Sequence, residues 1–218
     1  MTEHWHITRK WIPATVPIPA RQANQTKESM KSNTTVNGID TQALRGAIEA
    51  IRNNPAEGQT KWQVTSHWMG GTRSEAKVTA CEIGSRTVTK DFTIGIDEPL
   101  ELCGANRYAN PQEYLMAALN ACMIVGYTAL SALEGIELEE LRIETEGEID
   151  LRGFLGLDST VKPGYDHLRY TVHVKGDGTP EQFERIHRTV MATSPNYFNV
   201  ANAVPLKSKL VLESPAAV

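Results

Sequence analysis

The run from Tyr114 to Leu133, YLMAALNACMIVGYTALSAL, contains no charged residue, and this limits the fold more than any other feature of the chain. Its ends carry helix signals. Asn110 suits an N-cap, Pro111 the first turn, and Gln112 and Glu113 complement the positive end of the helix dipole. Gly135 suits a C-terminal stop. The polar residues within, Asn120, Tyr127, Thr128 and Ser131, form no stripe. A helix apolar on every side must be surrounded by protein or by lipid. Its length alone would allow a bilayer span. However, the run is rich in Ala and holds Asn120 near its centre, and its flanks (Arg107, then Glu134, Glu137, Glu139 and Glu140) lack a Lys/Arg cluster. It therefore reads as the buried core helix of a larger domain, with Cys122 at its middle, and not as a membrane anchor.

A formal net charge of −4 and a pI near 5.9 give no electrostatic reason to expect nucleic acid or an anionic membrane as partner. Cys81, Cys103 and Cys122 form no C-x-x-C pair and suggest neither zinc nor a disulfide framework; scattered thiols suit a reducing compartment. The first residues lack a continuous apolar segment of the secretory kind, so a cytoplasmic protein is expected.

Residues 1–36 mix basic, Pro and polar residues without a period and read as an extended or disordered arm before a domain spanning 37–218. Asp40 caps a short amphipathic helix over 40–53, with Leu44, Ala47, Ile48 and Ile51 at helical spacing. The core over 62–213 opens with alternating residues from Trp62 to Trp68, the turn Gly70-Gly71, and two more strands, SEAKVTACEI and RTVTKDFTIGI, in an antiparallel meander. After the buried helix, LEELRIETEGEIDLRG alternates as a long strand with one charged face, FLGLDSTVKPGYD is an excursion, and HLRYTVHVKG is a strand. Thr179 and Gln182 make a capping box for a helix carrying Phe183, Ile186, Val190 and Met191; SPNY breaks it and VPLKSKLVLE closes the sheet. The class is α+β, with helices packed on antiparallel sheet.

Among chemistry-bearing residues, Cys122 has two readings: an inert buried thiol, or a functional one needing a nearby cation and an approach for substrate. Mid-helix it receives nothing from a helix terminus, so Arg73 or Arg107 would have to supply the cation. Cys103, beside Gly104 in a loop, is the next thiol of interest, and Cys81 reads as packing. His4 and His6 flank Trp5 in the arm, and His67, His167, His173 and His187 are dispersed; neither set makes a metal motif, and no cofactor motif is present.

Three segments, DEPLELCGANRYANPQEYLMAALNAC, LRIETEGEIDLRGFLGLD and TSPNYFNVANAVPL, resemble in order and content the OsmC/Ohr family of osmotically inducible and organic-hydroperoxide-resistance proteins. The resemblance covers roughly 62–213, and its most specific part is the pattern from Pro111 through Glu113, Leu115 and Ala118 to Cys122. It implies an intertwined α+β homodimer whose sheets wrap the central helices, with the active site at the dimer interface. It implies that Cys122 attacks an organic hydroperoxide and becomes a sulfenic acid, assisted by an arginine from the early strands (Arg73) held by a glutamate at the helix start. Where the family has that glutamate this chain has Gln112, with Glu113 about 100° further round. Where the peroxidases place a resolving cysteine before a proline, it has Ser194 before Pro195, and a hydroxyl cannot form a disulfide.

Three functions follow. One is a peroxidase reducing a small apolar hydroperoxide through Cys122, resolved by an external thiol or by Cys103. A second is a non-catalytic module that binds an apolar small molecule at the dimer interface. A third is another chemistry using Ser194, Cys122 and Gln112.

Overall fold

The computed structural model describes residues 35–213 of the 218-residue chain. The arm expected over 1–36 lies outside the described residues except for its end. There, strands β1 (Thr35–Val36) and β2 (Ile39–Asp40) form a hairpin across Asn37 and Gly38, both at positive φ. Asn-Gly is the pair that favours this tight turn. The side chain of Asn37 donates to the Ile136 carbonyl at 2.9 Å and accepts from the Leu138 amide at 2.8 Å, fastening the hairpin to the main body. Helix α1 (Thr41–Asn53) follows, with the Asp40 carboxylate accepting from the amides of Gln42 and Ala43. None of its residues is buried, so α1 lies on the surface.

The first sheet contains β3 (Thr60–Trp62), β4 (Thr65–Trp68), β5 (Ser74–Ile83) and β6 (Arg86–Ile96). The expected single strand from Trp62 to Trp68 is thus two short ones, which pair with opposite ends of β5; β6 pairs along β5's other edge, with a bulge between Val78 and Ala80. Residues directly opposite in an antiparallel pair share a face. The pairs Trp62–Cys81 and Cys81–Val88 therefore form one apolar group, and the pairs Val78–Phe92 and Ala76–Ile94 form a second on the other side of the bulge. Ala76 and Cys81 are buried, whereas Trp62 and Phe92 remain more than half exposed.

Helix α2 (Pro111–Glu134) is the expected long helix, with Asn110 at the cap and Gly135 at φ 76 as the stop. It packs on β7 (Leu138–Gly147), which pairs antiparallel with β8 (Leu168–Gly176), and on α4 (Pro180–Thr193) and α5 (Pro195–Ala201). The core is Leu119, Met123 and Tyr127 of α2, with Ile136, Ile186 and Val190. At Gly126 a Cβ would lie 3.2 Å from a Val190 methyl, so the missing side chain lets α2 and α4 approach closely. Asn120, mid-helix, donates to the Ile143 carbonyl at 3.3 Å and accepts from the Thr145 hydroxyl at 2.6 Å, which satisfies its amide inside the fold.

Three expectations are corrected and one is refined. The strand after α2 stops at Gly147 instead of running to Gly153, because Asp150 caps a short helix, α3 (Leu151–Phe154). SPNY does break α4, which ends at Thr193, but the chain does not leave helical structure there, because Ser194 caps a further helix, α5. The segment 204–213 forms no strand and pairs with nothing among the described residues, and Leu206, Leu210 and Leu212 are more than four-fifths exposed. Finally, α2 is not enclosed on all sides. It is the one helix among the described residues long and apolar enough to cross a membrane; its own chain covers the stripe through Leu119, Met123 and Tyr127 but leaves Val125 about two-thirds exposed and Leu115 nearly half.

Candidate thiol site between α2 and α5

Cys122 lies on the border between the two stripes of α2, half-buried, with buried Met123 on one side and exposed Ala121 on the other. Its sulfur accepts a hydrogen bond from the Ser194 hydroxyl, Oγ to Sγ 3.3 Å, across 72 residues of sequence. Local chemistry explains the position of Ser194. A residue before proline is pushed out of the helical region, and Ser194 takes an extended conformation (φ −70, ψ 119) while its amide still donates to the Val190 carbonyl of α4. Its oxygen accepts from the Tyr197 amide at 3.4 Å and so caps α5. The Asn196 amide then donates to the Ala118 carbonyl at 2.8 Å, one turn of α2 before Cys122. The α4–α5 corner is thereby clamped to α2 at two points, and Ser194 is only 5% exposed.

One turn further along α2, the Tyr127 hydroxyl makes a short hydrogen bond to Nδ1 of His187, their rings stacked with centroids 6.1 Å apart. Burial, with a smaller contribution from Tyr170, pushes the Tyr127 phenol well above its ordinary range, so it stays protonated and acts as the donor. His187 is thus a satisfied structural histidine. Among the described residues no group of three or more His, Cys, Asp or Glu side chains is placed to hold a metal ion.

The other sequence-derived candidates lie elsewhere in the chain. The Arg73 guanidinium donates to the Met69 carbonyl at 3.1 Å and closes its own Gly70-Gly71 turn. Gln112 and Glu113 are exposed in the first turn of α2. Glu113 is engaged as the far half of a capping box: its carboxylate accepts from the Asn110 amide at 2.7 Å, and its own amide donates to the Asn110 side chain at 2.9 Å. The N-x-x-E spacing of Asn110 and Glu113 is a sequence signal for that box. Cys103 is exposed in a left-handed conformation after the turn Leu100–Leu102, and among the described residues no hydrogen bond links it to Cys122.

The loop carrying Cys103 is organised by a residue that sequence reasoning did not single out. Asp97 is fully buried and accepts from the Thr72 hydroxyl (2.8 Å) and from the amides of Glu98, Ala105 and Arg107. Burial alone would raise its carboxyl, but the four hydrogen bonds together hold it below the ordinary value. Gly104 is required there, since a Cβ would sit 1.8 Å from the Glu98 carbonyl oxygen.

The model of the OsmC-like protein family matches residues 104–209, a stretch that includes α2, both partners of the Cys122–Ser194 contact and the first part of the exposed segment after α5. Residues 104–209 are OsmC-like. The structure of an OsmC-like protein from Mycoplasma pneumoniae superposes with a TM-score of 0.52 at 12% identity, covering 66% of this chain and 89% of that one. An OsmC-like protein of unknown function from Vibrio cholerae (TM-score 0.48, 13% identity, 63% and 92% covered) and an organic hydroperoxide resistance protein from Legionella pneumophila (0.40, 15%, 64% and 89%) are also similar. No curated protein sequence matches the chain. The first likeness shows a shared fold, so the mixed helix-and-sheet architecture is OsmC-like.

Proposed function

We propose that the protein is a thiol-dependent reductase of organic hydroperoxides that works through Cys122 without a resolving cysteine. The observation that carries the proposal is the Ser194–Cys122 contact: the residue before Pro195, where peroxidases of this family place the resolver, has its side chain 3.3 Å from the sulfur of Cys122. The thiolate of Cys122 attacks the distal oxygen of the hydroperoxide, the O–O bond breaks, and the alkoxide takes a proton to leave as alcohol. The resulting sulfenic acid reacts with an external thiol to give a mixed disulfide and water. A second thiol restores Cys122 and releases the external disulfide. This cycle needs a supply of low-molecular-weight or protein thiols, as in a reducing cytoplasm.

The working unit is a homodimer. The exposed Trp62 and Phe92 of the first sheet, the open stripe of α2 and the exposed segment 204–213, which pairs with nothing among the described residues, all belong to one chain and need apolar cover. Within its own chain Arg73 closes the Gly70-Gly71 turn, so we expect it to serve Cys122 only across such a dimer.

The open apolar stripe beside Cys122 also suits a second reading, a binding module for an apolar small molecule at the dimer interface with Cys122 as lining. Single-turnover oxidation by cumene hydroperoxide separates the two. With a 1,3-dione trap and mass spectrometry, the reductase forms a stoichiometric sulfenic adduct at Cys122 that is absent from Cys122→Ser. A Cys122 that oxidises no faster than an ordinary buried thiol leaves the binding module.

A further inference from the structure

We propose that Ser194 is a positioning residue that stabilises the thiolate of Cys122 from within the same chain. This rests on reading Cys122 as the reactive thiol. A mid-helix cysteine has no helix terminus to favour its charged form, and within this chain Arg73 is occupied in its own turn. Ser194 supplies a donor instead. A serine hydroxyl has one proton and two lone pairs. The Tyr197 amide takes up a lone pair, which leaves the proton for the sulfur at 3.3 Å. The amide-to-hydroxyl-to-sulfur chain runs in one direction, so each bond polarises the next.

The geometry is held rather than incidental. The Ser194 amide is tied to Val190, its oxygen to α5, and the neighbouring Asn196 to the Ala118 carbonyl, all around a side chain shielded from water. A donor kept dry and fixed in place stabilises an adjacent charge more than a mobile or hydrated one. The same hydroxyl leaves the next step open. Because oxygen cannot close a disulfide, Cys122–SOH remains available to a thiol from solution, and Cys122–SOH plus RSH gives Cys122–S–SR plus water. Ser194 therefore keeps the donor side of the site and excludes the internal resolving step.

The test is the pH profile of Cys122 alkylation by iodoacetamide, without peroxide, with the site located by mass spectrometry because Cys103 is also exposed. Ser194→Gly is the informative variant, since glycine is tolerated at an N-cap and the fold should persist. The alkylation midpoint is expected to move up by about one pH unit, about tenfold less thiolate on the low-pH limb. Ser194→Thr, which keeps the hydroxyl, should restore it. An unchanged midpoint in a folded Ser194→Gly protein overturns the proposal, because a merely structural cap would not set the profile. The result stands apart from the peroxidase reading: a shifted midpoint supports the role of Ser194 even if hydroperoxide leaves Cys122 untouched, and an unshifted one removes it even if Cys122 oxidises.

Discussion

At the scale of single residues, the site depends on packing around one half-buried sulfur. Met123, next to Cys122, is fully buried and meets the core formed with Ile186 and Val190. Met123→Ala should cost about 2–5 kcal/mol, because lost transfer energy adds to a cavity that α2 and α4 cannot collapse to fill, and chemical denaturation will measure it. The residues bearing on chemistry were partly legible. Cys122 stood out because a thiol at the centre of an uncharged helix is conspicuous, and Ser194 because the family resemblance puts a resolving cysteine at its position before Pro195. Glu113 was legible as a first-turn acid, but its engagement with Asn110 is a matter of side-chain rotamers. Asp97 gave no signal, since three of its four donors are backbone amides that identify no residue type.

Among the elements, the loop from Asp97 to Asn110 joins the first sheet to α2, and Tyr114 adds a bond from α2 to the Gly95 carbonyl at 2.6 Å. Since the folded carboxyl of Asp97 is held below 3.8, its contribution is complete above that value and is lost as pH falls below it through the lowered folded value. Amide exchange at Ala105 and Arg107, corrected for intrinsic rates, should accelerate over that acid window and not above it. Helices were read well from sequence because caps and stops are local: Asp40, Asn110, Thr179 and Gly135 all perform as their types suggest. The hairpin at Asn37-Gly38 was equally local and was passed over because the arm before it is unpatterned. The segment 204–213 was misread for the opposite reason. Its alternation is that of a strand, but a strand exists only where another edge accepts it, and among the described residues this segment pairs with none.

For the whole molecule, the four-stranded first sheet contributes no residue to the main core cluster. The second sheet, α2, α4 and α5 share a core, whereas the first sheet presents Trp62, Phe92 and Val88 outward. The proposed dimer supplies the missing cover, and Leu206 and Leu210, among the most exposed apolar residues, belong to the segment with most to gain. Light scattering should give twice the chain mass for the native protein, and Leu206→Lys with Leu210→Lys should shift it toward the monomer. The sequence by itself determined the long uncharged helix, its caps and the alternating strands, because periodicity and capping are satisfied between near neighbours, while the likeness of residues 104–209 to the OsmC-like family rests on the order and content of its segments. Only the tertiary structure decided that Ser194 donates to Cys122, that Asp97 gathers the loop, that Arg73 stays in its own turn and that one stripe of α2 is left open. The Ser194 contact and the open stripe follow from the packing of α4 and α5 on α2, the Asp97 cluster from the meeting of its loop with Thr72, and the Arg73 contact from a side-chain rotamer that the sequence does not specify.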